Sequence, residues 1–324
     1  MDYEFYYNKV IKALENFYYD YQPEVESLYE PVAYALEGGK KIRPVSVLLA
    51  AEAFGGDLDE AIIPAVAVEM FHNFTLVHDD VMDNSPIRRG RPTVFHKWDT
   101  NRAILSGDAM LLLVYQILSR LEGEKARKQV EIMTWAGLRV SEGQQLDMEF
   151  EEKKLVSLNE YLQMIRLKTA VLLGTSLKMG AVLAGASDED AQYIYNFGET
   201  LGLTFQIQDD YFDLYADEKV FGKKTGNDIV TKKKTFLLLT ALEKANDKQK
   251  EELLKIYCSD MEAQEKIKNV KNYFEQFNIE DEVKAFISEY YQLSLQNIEK
   301  IKGISDKGKK NMLFLAEFLI RRKY

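Results

Sequence analysis

Little in this chain interrupts a helix, and that constrains its fold more than any other feature. Only 6 prolines and 18 glycines are spread over 324 residues. Between them run segments rich in Leu, Ala, Glu and Lys, which favour helix over strand. Gly38-Gly39 and Gly55-Gly56 each close an apolar segment, as glycine commonly does at a helix C-terminus. The pattern predicts helices over 2–20, 23–36, 42–54, 60–82, 102–121, 125–150, 158–183, 188–215 and 228–244, with further helices to 322. The polar, proline-bearing stretch 84–99 reads as a loop, and no β-rich segment is expected. No composition shift or low-complexity linker divides the chain, so residues 1–324 are read as one all-α domain.

Charge and cysteine usage narrow the class further. The net charge of -10 argues against a nucleic-acid partner, because phosphate backbones select basic surfaces. It leaves room for a small phosphorylated ligand, which responds to local charge. No run of about 18 or more uncharged apolar residues suggests a membrane span. The start, Met1-Asp2-Tyr3-Glu4-Phe5, lacks the basic and apolar regions of a secretory signal. Cys258 is the only cysteine and is expected to be a small core residue. A reducing, cytoplasmic setting follows from these features.

One short pattern occurs twice. Leu76-Val77-His78-Asp79-Asp80-Val81-Met82-Asp83 and Gln206-Ile207-Gln208-Asp209-Asp210-Tyr211-Phe212-Asp213 both read DDxxD at the end of an apolar helix. On a helix, positions i, i+3 and i+4 share a face, so each triplet crowds three like charges. A divalent cation removes that conflict. Oxygen donors without Cys or His select magnesium, manganese or calcium over zinc. One such motif alone reads as a solvated acidic surface. Two copies, each behind an apolar helix, read as the halves of one diphosphate-binding site.

Basic clusters accompany the acidic ones. Gly39-Lys40-Lys41-Ile42-Arg43-Pro44 opens a helix, whose N-terminus already favours anions. Arg88-Arg89-Gly90-Arg91 follows Asp83 closely, and arginine grips phosphate oxygens bidentately. Lys168-Thr169 and Gly222-Lys223-Lys224-Thr225-Gly226-Asn227-Asp228 add further cations. Each cluster alone is ordinary surface charge; the combination with paired carboxylate motifs is not. His72 lies one heptad before Asp79 and so shares its face within about 20°. It is either a phosphate donor or a core histidine. His78 points roughly 100° away from Asp79 and receives no role.

Taken in order, GGKKIRP, EMFHNFTLVHDDVMD, RRGRPT, SGDAML, GQQLD, LKTA, FQIQDDYFD and GKKTGND resemble the trans-isoprenyl diphosphate synthases, or polyprenyl synthetases, over nearly the whole chain. The resemblance implies an isoprenoid synthase fold, a bundle of long helices around a deep cavity, usually in a homodimer. It implies a prenyltransferase that condenses isopentenyl diphosphate with dimethylallyl, geranyl or farnesyl diphosphate. Asp79, Asp83 and Asp209 would hold three Mg²⁺. Asp80 and Asp213 would support that shell, and Asp210 completes the second motif. Arg88, Lys168, Lys223 and Lys233 would hold the allylic diphosphate, and Lys40, Arg43, His72 and Arg89 the isopentenyl diphosphate. Thr169 and Gln206 would aim oxygen dipoles at the developing carbocation. Arg321-Arg322-Lys323 could close over the homoallylic diphosphate.

Product length should depend on what lies beneath Asp79. At about 1.5 Å per residue, Thr75 is about 6 Å down the helix and Phe71 about 12 Å. Phe74 is further round the helix, and the resemblance nominates it as a stop. Two rings at these depths suggest a short product, C15 or C20. Two other readings stand beside this one: a class I terpene cyclase or head-to-head synthase, and a non-catalytic partner subunit. The first would not need the GGKKIRP and Arg89 features, and the second should carry eroded motifs.

Overall fold

The computed structural model describes residues 2–21, 24–216 and 225–320. Helices dominate: α1 Tyr3–Tyr21, α2 Glu26–Leu36, α3 Ile42–Ala53 and α4 Leu58–Met82, then after a short hairpin α5 Val94–Lys97, α6 Thr100–Leu118 and α7 Gly123–Glu152. There follow α8 Leu158–Ile165, α9 Val171–Leu183, α10 Asp188–Tyr215, α11 Asn227–Val230 and α12 Phe236–Lys244. The last four are α13 Asp247–Tyr257, α14 Ala263–Gln276, α15 Ile279–Lys300 and α16 Asp306–Ile320. The expected all-α class holds.

Local chemistry explains many of the starts. The Asp57 side chain caps α4 by accepting from Asp59 N at 2.9 Å, and Asp99 caps α6 by accepting from Arg102 N at 2.8 Å. Ser157 with Glu160 and Asn246 with Gln249 form capping boxes at α8 and α13. Pro44 sits in the first turn of α3, where no intrahelical bond is lost.

The chain forms two compact units. The first comprises Met1–Trp135, Thr175–Tyr195 and Ile301–Met312. Its core is α4 packed between α3 and α6. Val45, Leu48 and Leu49 from α3, Met70 from α4 and Met110 from α6 are all fully buried. By length and composition α4 could cross a membrane, which the reading from apolar runs alone had not anticipated. Its most apolar window is 61% buried inside the protein, so its apolar character belongs to a core helix. The second unit comprises Ala136–Gly174, Asn196–Lys300 and Leu313–Tyr324. Its core gathers Ile207 of α10, Phe236 to Leu239 of α12, Tyr257, Phe274 and Val283.

Four expectations need correction. Residues 84–99 are not simply a loop: Ile87–Arg88 and Arg91–Pro92 pair antiparallel. Arg89 and Gly90 join them with φ of 52° and 72°, the two positive values that a type I′ hairpin turn requires. Arginine is an unusual residue there, which hid the turn. The helix expected over 158–183 is interrupted by a π-helical turn, Arg166–Ala170. The helix expected over 228–244 breaks at Lys232, whose φ is 62°, and restarts where Thr235 caps Leu238 N. Cys258 is exposed, because it follows α13 at its C-terminus instead of facing the core.

Candidate active site

In the first unit, α4 delivers Asp79 and Asp80 in its last turn and ends on Asp83. The three carboxylates are not equivalent. Asp80 is 4% exposed and accepts from Arg88 Nε at 2.7 Å. Burial pushes its carboxyl pKa up, and the Arg88 guanidinium opposes that shift. Asp79 is half-buried, with Oδ2 3.7 Å from Arg88 Nη2, and Asp83 is exposed. The hairpin that carries Arg88 is clamped from outside. Tyr34 Oη donates to Pro92 O at 2.8 Å, and the Arg91 guanidinium and Lys97 ammonium each lie 4.0 Å from the Tyr34 ring centre.

Beside this triplet stands the cluster Arg43, His72 and Arg89. Arg43 Nη1 lies 3.3 Å from His72 Nε2. Arginine has only donors, so this imidazole nitrogen accepts. Burial, joined by Arg43, Arg89, Lys41 and Arg88, holds the His72 pKa well below its usual value, so the ring is neutral. Burial also lowers Arg43 to about 10. Its Nε is buried without a hydrogen-bond partner among the described residues. Arg89 donates from Nη1 to Glu37 O at 3.1 Å, and its guanidinium lies over Gly39, where a Cβ would come 3.0 Å from Arg89 Cζ. Lys40 is exposed at the start of the same turn.

Down α4, Phe71 is buried and Phe74 and Thr75 are half-buried. The rings of Phe71 and Phe74 meet edge-to-face at 5.5 Å, and Phe74 meets His78 at 4.8 Å. Thr75 Oγ1 donates to His72 O at 2.8 Å. His78 lies 3.1 Å from Ile104 O on α6.

The second unit holds the other motif on α10. Asp210, 8% exposed, accepts from Tyr161 Oη at 2.5 Å and Phe236 N at 2.9 Å. Burial raises its carboxyl to about 7, against the pull of these two donors. Asp213 Oδ2 accepts from Asp228 N at 3.0 Å, and Asp209 is half-buried. Among the three adjoining lysines, Lys232 pairs with Asp260 at 2.7 Å, Lys234 donates to Phe150 O, and Lys233 lies 3.7 Å from Asp228. The π-helical turn presents Lys168 and Thr169. Lys168 Nζ donates to Asp147 Oδ2 at 2.5 Å, and Thr169 Oγ1 donates to Gln206 Oε1 at 3.4 Å. Such turns widen the helix locally and are frequent at functional sites. Two neighbouring helices make room for this one by lacking a side chain. A Cβ at Gly143 would lie 2.2 Å from Lys168 N, and one at Gly202 would lie 2.7 Å from Ala170 Cα.

Lys223 and Arg321-Arg322-Lys323 lie outside the described residues. Glu69, Asn73, Asp147, Tyr161 and Asp228 join these networks although the sequence reading assigned them no role. For Glu69 and Asn73 a signal existed: two polar residues one turn apart, the first of them following the apolar run Ala61 to Val68. Among the described residues, no three His, Cys, Asp or Glu side chains gather into a protein-only metal cage. The oxygen-only carboxylates of the two motifs suit Mg²⁺, which takes one or two carboxylates together with waters and substrate phosphates.

Residues 25–274 match the family model described as polyprenyl synthetase. The chain belongs to the polyprenyl synthetase family and is a trans-prenyltransferase. It is 36% identical over 325 residues to a geranylgeranyl diphosphate synthase of Sulfolobus acidocaldarius, covering 98% of each chain. A crystal structure of a geranylgeranyl pyrophosphate synthase, 38% identical, superposes with a TM-score of 0.92 over the full length of both chains. That of a geranylgeranyl pyrophosphate synthase from Corynebacterium glutamicum, complexed with isoprenyl diphosphate and magnesium, is 25% identical. It superposes with a TM-score of 0.84, covering 99% of this chain and 98% of that one. The isoprenoid synthase fold expected for the family is therefore the fold of this member.

Proposed function

We propose that this chain condenses isopentenyl diphosphate with an allylic diphosphate to give a short-chain, C15–C20, trans-prenyl diphosphate and diphosphate. Both acidic motifs and the basic segments around them are intact in a chain that matches a geranylgeranyl diphosphate synthase nearly end to end. That observation carries the reading, and the names of the relatives weight it toward C20. They do not favour a terpene cyclase or a head-to-head synthase, and intact motifs disfavour a non-catalytic partner.

Asp79, Asp83 and Asp209 would hold Mg²⁺, three ions in this reading, with Asp80 and Asp213 supporting those carboxylates. When bound, Mg²⁺ supplies Lewis-acid stabilisation of the departing diphosphate. Arg88, Lys168, Lys223 and Lys233 grip the allylic diphosphate, whose charge grows as its C–O bond ionises. Lys40, Arg43, His72 and Arg89 seat isopentenyl diphosphate. The buried, unpartnered Arg43 Nε and the neutral His72 ring support that assignment. Thr169 and Gln206 turn oxygens toward the allylic cation, and their mutual contact supports a shared role. The isopentenyl double bond attacks that cation. Released diphosphate takes the proton, so no dedicated protein base is required. A dry cavity would protect the cation from water.

We read residues 1–324 as one polyprenyl synthetase-like domain, cytoplasmic and homodimeric. The free, exposed Cys258 supports a reducing compartment. An exposed apolar surface on α6, with Leu105 57% and Leu112 71% exposed, supports a second copy as partner. The deciding experiment is a product assay with isopentenyl diphosphate and each of dimethylallyl, geranyl and farnesyl diphosphate. A longer diphosphate, lost with a chelator and restored by Mg²⁺, is the expected result. A hydrocarbon product, or no turnover of any starter, overturns the reading.

A further inference from the structure

Helix α4 buries two polar side chains that no substrate needs to touch. Glu69 is 2% and Asn73 1% exposed. A carboxylate in such surroundings is strongly disfavoured unless it is paired and hydrogen-bonded. Glu69 meets both conditions. Its Oε1 accepts from Lys41 Nζ at 2.8 Å and from Asn73 Nδ2 at 2.8 Å. Lys41 is also buried and donates a second bond to Leu36 O at 2.6 Å. It stands in the left-handed region, φ 51°, at the cap of α3, so the ion pair holds a strained residue in the middle of the turn that carries Lys40. Asn73 Nδ2 also donates to Glu69 O at 2.8 Å, which turns Oδ1 toward Arg89 Nη1 at 3.5 Å. One carboxylate thus links the turn at 37–41 to the guanidinium of Arg89. Its charge also favours the protonated forms of Arg43 and Arg89.

We propose that Glu69 is a positioning residue for isopentenyl diphosphate. Paired with Lys41, it fixes the backbone that presents Lys40. Through Asn73, it aims Arg89. The inference rests on the reading that Lys40, Arg43, His72 and Arg89 take this substrate.

The test uses steady-state kinetics of the full chain with each substrate varied in turn. Glu69→Gln keeps the acceptor for Asn73 and removes the charge. It should raise KM for isopentenyl diphosphate about tenfold, leave KM for the allylic diphosphate within about twofold, and lower kcat by less than about threefold. The double variant Lys41→Met with Glu69→Leu replaces the ion pair by apolar side chains, a change that is commonly neutral or stabilising. It should fold with a Tm near the parent's and still show the raised KM for isopentenyl diphosphate. Arg89→Ala serves as the control for the underlying reading. If Arg89→Ala raises this KM and neither Glu69 variant does, the pair is structural only and the proposal fails. Equal losses for both substrates, following Tm, would also overturn it. If Arg89→Ala leaves this KM unchanged, the reading of the site itself is at fault.

Discussion

Asp80 and Asp210 hold the second position of their triplets, and both are nine-tenths or more buried and satisfied by named donors. Burial leaves them to hold the backbone of each motif, while the first and last aspartates stay within reach of solvent. The doublets look alike in sequence, so this division was not legible there; it depends on Arg88, Tyr161 and Phe236. His72 shows the same dependence. Its spacing placed it on the Asp79 face, but only its neighbours make it neutral. Its folded pKa lies below its unfolded value, so the unfolded chain binds more protons once the pH drops below about 6.5. Stability should therefore be full above that pH and fall as the pH drops through it. His72→Gln, whose amide oxygen can still accept from Arg43, should flatten that part of the curve in Tm measured from pH 5 to 8, taken as about the range over which an ordinary histidine titrates. At Phe71 and Phe74, truncation should open space beneath Asp79. Phe74→Ala or Phe71→Ala is expected to yield longer products by chromatography of dephosphorylated prenols. Unchanged products in both variants would place the floor elsewhere.

The informative elements are α4 and the π-helical turn. Period, length and boundaries of α4 were readable from apolar spacing, because a long buried helix repeats one signal many times. The turn at Arg166–Ala170 left no such trace: Arg-Leu-Lys-Thr-Ala has ordinary helix propensity, and the extra residue is accommodated by what packs against it. Gly143 and Gly202 are that packing. Gly143→Ala would drive a methyl group into Lys168 N. It should cost about 1–3 kcal/mol of stability by overpacking and lower kcat by about 10²-fold if Lys168 and Thr169 are displaced by an ångström. Thermal melts and single-turnover kinetics measure the two effects separately. The hairpin at Ile87–Pro92 was hidden for a related reason. Its turn needs two positive φ values, and an arginine meets one of them because Tyr34 and Glu37 hold the flanking residues.

For the whole molecule, the exposed apolar residues of α6 bear on assembly. If the chain pairs through α6 as proposed, Leu112→Glu should shift it from dimer to monomer in sedimentation experiments, with the helical far-ultraviolet spectrum retained; an unchanged sedimentation coefficient would overturn that assignment of the surface. The helical class, most helix positions and the two acidic motifs with their basic companions were readable from residues alone. They rest on local properties: propensity, 3.6-residue periodicity, scarce breakers and motif order. Which carboxylates turn inward, which of three adjoining lysines lies near Asp228, and why a glutamate can sit inside an apolar helix were not readable. Each is set by burial and by partners tens of residues away, and those distances exist only once the chain has folded.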